Sequence, residues 1–286
     1  MTDGAAARDI SYSFSAQTRA GRALIRSIEN VTGRPRLLRM ALGYDREVAR
    51  GRDFWEVMAE RYRLRLTVTE ADLARIPRQG PVVVVANHPF GILDGLAMGR
   101  ILSQARGDFR IIAHQVFHKA QDLRHVILPI DFAETREAMA ANLRTRQTAL
   151  DYLARGGCIG VFPGGTVSTS ARPFGRAMDP AWKTFTAKMI QRARPAVVPV
   201  YFDGQNSRLF QLASRINPTL RVALLINEFD RTVGGEARVT IGAPLPAAEI
   251  DALRGDPRAL MDHLRRATYR LAHPPLQDLG YGRSFD

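Results

Sequence analysis

The chain has one cysteine, no long apolar run and too few acids to balance its bases. Each shortage excludes something. A single Cys158 cannot form an intramolecular disulfide and fits a reducing compartment. It stands in the apolar run Gly157-Cys158-Ile159-Gly160-Val161-Phe162, which predicts a buried structural thiol rather than a nucleophile. No stretch approaches the ~20 apolar residues that span a bilayer. The opening Met1-Thr2-Asp3-Gly4 lacks the charged and apolar regions of a secretory signal, so none is expected. There is no G-x-x-x-x-G-K-[ST] loop and no G-x-G-x-x-G fingerprint, which disfavours ATP and dinucleotides. A G-x-S-x-G elbow is missing too, which argues against a serine hydrolase. Neither zinc spacing nor an RNP-like strand supports nucleic-acid binding, so no nucleic acid is expected as a partner.

What is present is a folded-protein composition with a strong basic excess. In 286 residues, 45% are hydrophobic and 24% charged, enough for one large domain or a core with an appendage. Lys and Arg number 41 against 28 Asp and Glu, a formal charge of +13. An excess of this size suits an anionic partner such as a lipid surface, an acidic carrier protein or nucleic acid. Arginines scattered over solvated faces by a GC-rich genome are the plainer alternative.

The chain divides by pattern. Residues 1–14 read as a flexible lead. Residues 15–75 read as a basic amphipathic helical segment in which Leu24, Ile28 and Val31 share one face. Further helices are expected around Leu37–Leu42 and Phe54–Tyr62, broken by Gly33 and Pro35. Such a segment either docks on a membrane or caps the main domain. Residues 76–286 alternate strands with helices. Predicted strands are Val82–Ala86, Phe109–Ala113, Val126–Ile130, Cys158–Phe162, Ala196–Phe202, Leu220–Ile226 and Arg238–Ile241. Predicted helices are Glu134–Leu153, a stretch N-capped by Asp179 with Pro180 at its first position, and the tail Ala247–Ala272. The implied fold class is α/β, with a mixed, largely parallel central sheet flanked by helices.

Two loops could carry chemistry. Strand Val82–Ala86 runs into Asn87-His88-Pro89-Phe90-Gly91-Ile92-Leu93-Asp94, and functional groups collect at such strand ends. Asp94 could fold back on the His88 ring, fixing its tautomer and supporting the imidazolium formed on proton abstraction. The second loop is Phe162-Pro163-Gly164-Gly165-Thr166-Val167-Ser168, with Arg172 beyond. Its glycines, hydroxyls and cation suit a head group or a developing oxyanion. His114, His118 and His125 invite a metal reading, but without a Glu between the first two they read as a solvated or partly buried face. Trp55 and Trp182 are expected in core packing.

In order, these segments resemble the motifs of the PlsC-like glycerolipid acyltransferases. Asn87-His88 with Asp94 is similar to their NHxxxxD, and Phe162–Thr166 to their FPEGT. Val197-Val198-Pro199-Val200 is similar to their VPV motif at the acyl site. With Asp203-Gly204-Gln205-Asn206-Ser207-Arg208, the spelling looks closest to a bacterial branch that includes O-acyltransferases of ornithine lipids and related aminolipids. The resemblance spans residues 20–246. It implies His88 and Asp94 as catalytic residues. It further implies substrate-binding roles for Asn87, Phe90, Gly91, Asp131, Phe162, Pro163, Gly164, Gly165, Thr166, Ser168, Arg172, Pro199, Asn206 and Arg208. No metal or organic cofactor is implied. The implied partners are an acyl-ACP or acyl-CoA donor, a lysolipid acceptor and an anionic membrane surface, at the cytoplasmic face of a bacterial inner membrane. The chain departs from the pattern in three places. Five residues, not four, separate His88 from Asp94; Gly164 replaces the usual Glu; and Asp131 stands where phosphate-acceptor members carry Arg. The last two favour a lyso-aminolipid acceptor over lysophosphatidate. A non-catalytic lipid-binding role is the alternative of another class.

Overall fold

A computed structural model describes residues 11–13, 16, 18–114, 121–131 and 135–285. Four helices lead, α1 (Arg19–Val31), α2 (Arg34–Ala41), α3 (Tyr44–Val48) and α4 (Phe54–Arg61), followed by β1 (Arg65–Leu66) and α5 (Glu70–Leu73). Then come β2 (Val82–Ala86), α6 (Ile92–Arg106), β3 (Arg110–His114), β4 (Ile127–Ile130), α7 (Arg136–Ala154) and β5 (Cys158–Val161). A hairpin of β6 (Thr169–Ser170) and β7 (Ala177–Met178) precedes α8 (Phe185–Ala193) and β8 (Ala196–Asp203). The chain continues through α9 (Arg208–Ile216), α10 (Pro218–Thr232), β9 (Glu236–Ile241), α11 (Ala247–Ala252) and α12 (Pro257–Tyr269).

The sheet has seven strands in the order β1-β9-β8-β2-β5-β3-β4. Only the β8–β9 pairing is antiparallel. Central β2 is the five-residue run Val-Val-Val-Val-Ala, buried along its whole length. Val82, Val84 and Ala86 meet Trp55 of α4, Met98 and Ile101 of α6 and Phe229 of α10. Val83 and Val85 meet Leu153 of α7, Ile190 of α8 and Leu264 of α12. A β-branched strand between two helical layers is the arrangement a short continuous apolar run predicts. It points the carboxyl ends of β2, β5 and β8 at one rim.

The leading helices join this core. Leu37, Ala41, Trp55, Val57 and Met58 belong to the same buried cluster as β2, and β1 extends the sheet beside β9. Helix α1 turns part of its apolar stripe outward. It buries Ile25 and Glu29, while Leu24 and Val31 are 49% and 86% exposed. Glu29 turns inward because Ser11 Oγ and the Tyr12 N–H bind its carboxylate.

Two expectations are corrected. Leu220–Ile226 lies inside helix α10, whose start is fixed by Asn217 accepting from the Thr219 and Leu220 N–H, with Pro218 at the first position. Asp179 does not cap a helix: α8 begins at Phe185, and the Asp179 carboxylate turns into the protein instead. Cys158 is buried on β5, and burial pushes its thiol up to about 12, as an inert structural cysteine requires. His118 lies outside the described residues.

Candidate active site

Asn87 ends β2 by clamping the neighbouring strand. Its Nδ2 donates to the Phe202 carbonyl at 2.9 Å, and its Oδ1 accepts from the Phe202 N–H at 2.7 Å. The buried amide is thereby committed to holding β2 on β8, and it aims the next residue out of the rim. The turn Pro89–Gly91 follows, with Gly91 at φ +89°, a conformation L side chains rarely adopt. That turn absorbs the extra residue between His88 and Asp94. It starts α6 so that Asp94 falls on the third helical position and reaches back over the helix start.

Asp94 is fully buried, and one of its oxygens collects three donors. Oδ2 lies 2.9 Å from His88 Nδ1, 2.8 Å from the Phe90 N and 2.9 Å from the Gly91 N. Two backbone N–H groups and the helix start fix the carboxylate, and the carboxylate fixes the ring. With Nδ1–H donating to Asp94, the His88 Nε2 carries the basic lone pair. Burial pushes the Asp94 carboxyl above its ordinary value, against the opposing pull of the His88 ring and the two N–H groups. His88 also stacks on Phe162, centroids 4.4 Å apart with the planes 24° from parallel. The imidazole is therefore held on its edge and on its face.

The second loop is bound to the first. The Ser168 N–H donates to the His88 carbonyl at 2.7 Å. Ser168 Oγ donates to Asp179, as do the His88 N–H at 3.1 Å and Trp182 Nε1 at 2.8 Å. Asp179 is thus a buried hub tying both loops together. The sequence predicts Asp179 as a helix cap; the structure places it beside Gly164 instead. A Cβ there would sit 3.3 Å from the Asp179 carboxyl group, so the position that usually carries Glu abuts a carboxylate already present.

Arg221 of α10 is the other residue that sequence reading missed. It is buried beneath the second loop, donating to Thr166 Oγ1, Thr169 Oγ1, Ser214 Oγ and the Val167 carbonyl. Its position inside a segment read as a strand hid it. The C-terminal residues close over this region as a strap. Buried Arg265 holds the Leu279 and Gly280 carbonyls, the Gly282 N–H donates to the Asp179 carbonyl, and the Arg283 N–H donates to that of Thr169. The Phe285 ring covers Arg221 at 4.2 Å.

The remaining expected site residues fall into groups. Phe90, Gly91, Phe162 and Ser168 contact His88 or Asp94; Gly165 and Thr166 lie on the same loop, the Gly165 N–H donating to the Phe162 carbonyl and Thr166 Oγ1 accepting from Arg221. Pro163, Gly164, Pro199 and Asn206 are buried behind them, and Asn206 Nδ2 has no hydrogen-bond partner among the described residues. Arg172 and Arg208 are exposed, Arg208 donating to the Phe174 carbonyl of the β6–β7 hairpin. Asp131 follows β4, three strand positions from β2, a lateral offset of about 14 Å.

A basic nitrogen held in one tautomer by a buried carboxylate, beside a loop rich in donors, is equipped to take a proton from a hydroxyl. Comparison with known proteins agrees with this chemistry. The family model described as acyltransferase matches residues 36–275. The chain is 27% identical over 229 residues to a lyso-glycine lipid O-acyltransferase of Phocaeicola vulgatus, covering 77% of this chain and 78% of that one. It is 26% identical over 229 residues to a protein of the same description from Bacteroides thetaiotaomicron, covering 77% and 80%. Among solved structures it matches the 1-acyl-sn-glycerophosphate acyltransferase PlsC of Thermotoga maritima with a TM-score of 0.46 and 16% identity, over 91% of this chain and 85% of that one. The family read from the motifs is the family found, and with most of its length inside that match the chain belongs to the acyltransferases.

Proposed function

We propose that the protein moves a fatty acyl group from a thioester, on acyl-ACP or acyl-CoA, to the hydroxyl of a lysolipid with an amino-acid head group. The observation that carries this reading is the His88–Asp94 pair, with Asp94 Oδ2 pinned by two backbone N–H groups. His88 Nε2 takes the proton of the acceptor hydroxyl as its oxygen attacks the thioester carbon. The tetrahedral oxyanion then collapses, the C–S bond breaks, and the leaving thiolate takes the proton back from His88. No acyl-enzyme is needed, and the second loop faces the developing negative charge.

Two observations support the acceptor class. Both curated relatives act on a lyso-glycine lipid, an amino-acid lipid. The second loop also carries Gly164 in place of Glu, and the segment after β4 carries Asp131 in place of Arg. Glycine-type and ornithine-type head groups both fit this reading, and lysophosphatidate is the alternative. The +13 charge and the outward apolar face of α1 support a peripheral position on an anionic membrane surface, read as the cytoplasmic face of a bacterial inner membrane. No helix among the described residues is long and apolar enough to cross a membrane.

The test is a matrix of donors and acceptors. Acyl-ACP and acyl-CoA are each offered with lyso-glycine lipid, lyso-ornithine lipid and lysophosphatidate, for wild type and His88→Ala. Turnover on the amino-acid lysolipids that His88→Ala abolishes is expected. Undiminished turnover in the variant would sink the mechanism, and preference for lysophosphatidate would overturn the acceptor.

A further inference from the structure

Arg221 is a buried guanidinium with no carboxylate against it among the described residues, a costly arrangement for a protein to keep. Its partners are all neutral: three hydroxyls and one carbonyl. Burial lowers it to about 10, so it is a full cation at neutral pH. Phe210 lies 5.1 Å and Phe285 4.2 Å from the guanidinium carbon, and the two rings shelter the charge from water. An unneutralised cation in a low-dielectric setting acts strongly on whatever lies in front of it.

What lies in front of it is the catalytic loop. Arg221 Nη2 donates to Thr166 Oγ1 at 2.8 Å and to the Val167 carbonyl at 2.7 Å. Both ends of this loop touch His88, through the Phe162 ring and the Ser168 N–H. A threonine oxygen that accepts from a guanidinium must direct its own proton elsewhere. Thr166 Oγ1 has no acceptor for that proton among the described residues, and the residue is half-buried on the loop that is anchored to His88 at both ends.

We propose that Arg221 is a positioning residue for the transferase reaction, turning the Thr166 hydroxyl into a charge-assisted donor for the oxyanion formed on the thioester carbonyl. The inference rests on the acyl-transfer reading above. In the step concerned, the acceptor oxygen bonds to the carbonyl carbon and its proton passes to His88. The carbonyl π pair moves onto oxygen and meets the Thr166 O–H. The donor reorganises little as charge develops, because the guanidinium already holds it in place. Arg221 itself does not touch substrate.

The test compares wild type, Thr166→Val, Thr166→Ser, Arg221→Met and the Thr166→Val/Arg221→Met double variant at saturating thioester with varied lysolipid. Thr166→Val and Arg221→Met should each lower kcat by about 10²-fold. Acceptor KM should stay within about twofold, because only the transition state feels the loss. Since both changes remove one interaction, the double variant should be no more than about threefold slower than Thr166→Val alone. Thr166→Ser, which keeps the hydroxyl, should stay close to wild type. A merely structural Arg221 would raise KM and multiply the losses in the double variant, and that result overturns the proposal, as does an unimpaired Thr166→Val. If Arg221→Met fails to melt cooperatively, Arg221→Gln, which removes the charge and keeps a polar side chain, takes its place under the same non-additivity criterion. Wild type inert toward every donor and acceptor pair would sink the acyl-transfer reading and this proposal with it. Active wild type with multiplicative losses would sink the Arg221 proposal alone.

Discussion

Asp94 collects three donors on Oδ2 and leaves Oδ1 buried without a hydrogen-bond partner among the described residues. The protein tolerates an incompletely satisfied buried carboxyl at the position proposed to support His88 in the reaction. The sign of the consequence follows from the raised carboxyl. In the folded state the proton is held more tightly than in the unfolded chain, where an Asp titrates near ~3.9. The associated stability is therefore present below that value and is lost as pH rises through the folded one. Asp94→Asn should accordingly melt at or above the wild-type temperature at neutral pH, with the advantage shrinking as the medium is acidified toward pH ~4. The same variant should lose about 10²- to 10⁴-fold in kcat, because a neutral amide cannot support the imidazolium. Thermal melts from pH 4 to 8 alongside turnover check both halves. A variant that melts lower at neutral pH would contradict the account of Asp94.

At the scale of elements, legibility followed how the physics is written along the chain. Strand β2 and the His88–Asp94 turn could be read directly, because a β-branched run ending in a polar turn constrains its neighbours locally. Helix α10 could not, since Val222–Ile226 is a short apolar run and period alone does not separate a buried strand from a buried helix turn. The cue that decides is Asn217-Pro218, a side-chain cap followed by the residue best suited to a first helical position. Misreading α10 concealed Arg221, whose role depends on contacts more than fifty residues away in sequence. Asp179 was misread for the converse reason. Asp-Pro is a sound local cap signal that tertiary partners override, here His88, Ser168 and Trp182. For α1 the apolar stripe is visible in sequence and leaves docking and capping both open, while the face it presents depends on Glu29. Packing between elements gives a further expectation. At Gly99 of α6 an added Cβ would come 2.1 Å from the Trp55 ring of α4. Gly99→Ala should therefore cost about 1–3 kcal/mol through forced separation of the two helices. A melting temperature equal to wild type would show that α4 is not packed on α6 in this way.

Over the whole molecule, charge and exposed apolar surface bear on where the enzyme works. Leu24 and Val31 stand open on α1, and Arg22 and Arg26 lie on the same helix. Binding to anionic vesicles is expected to fall with added salt, and to fall further in a Leu24→Asp/Val31→Asp variant that keeps its turnover on dispersed substrate. Equal vesicle binding by variant and wild type would remove α1 from the membrane face. The strap over the second loop has another consequence, one of timing. The site's first loop is encoded before residue 95, yet the hydrogen bonds that close the hub at Asp179 come from Gly282 and Arg265, and the cover on Arg221 from Phe285. A growing chain thus carries His88 and Asp94 long before the segment that seals their surroundings exists. The loop that Thr166 and Ser168 belong to is therefore expected to gain its final order only once residues 279–285 have docked, which hydrogen exchange in a variant lacking those residues would read as faster exchange at the Ser168 N–H.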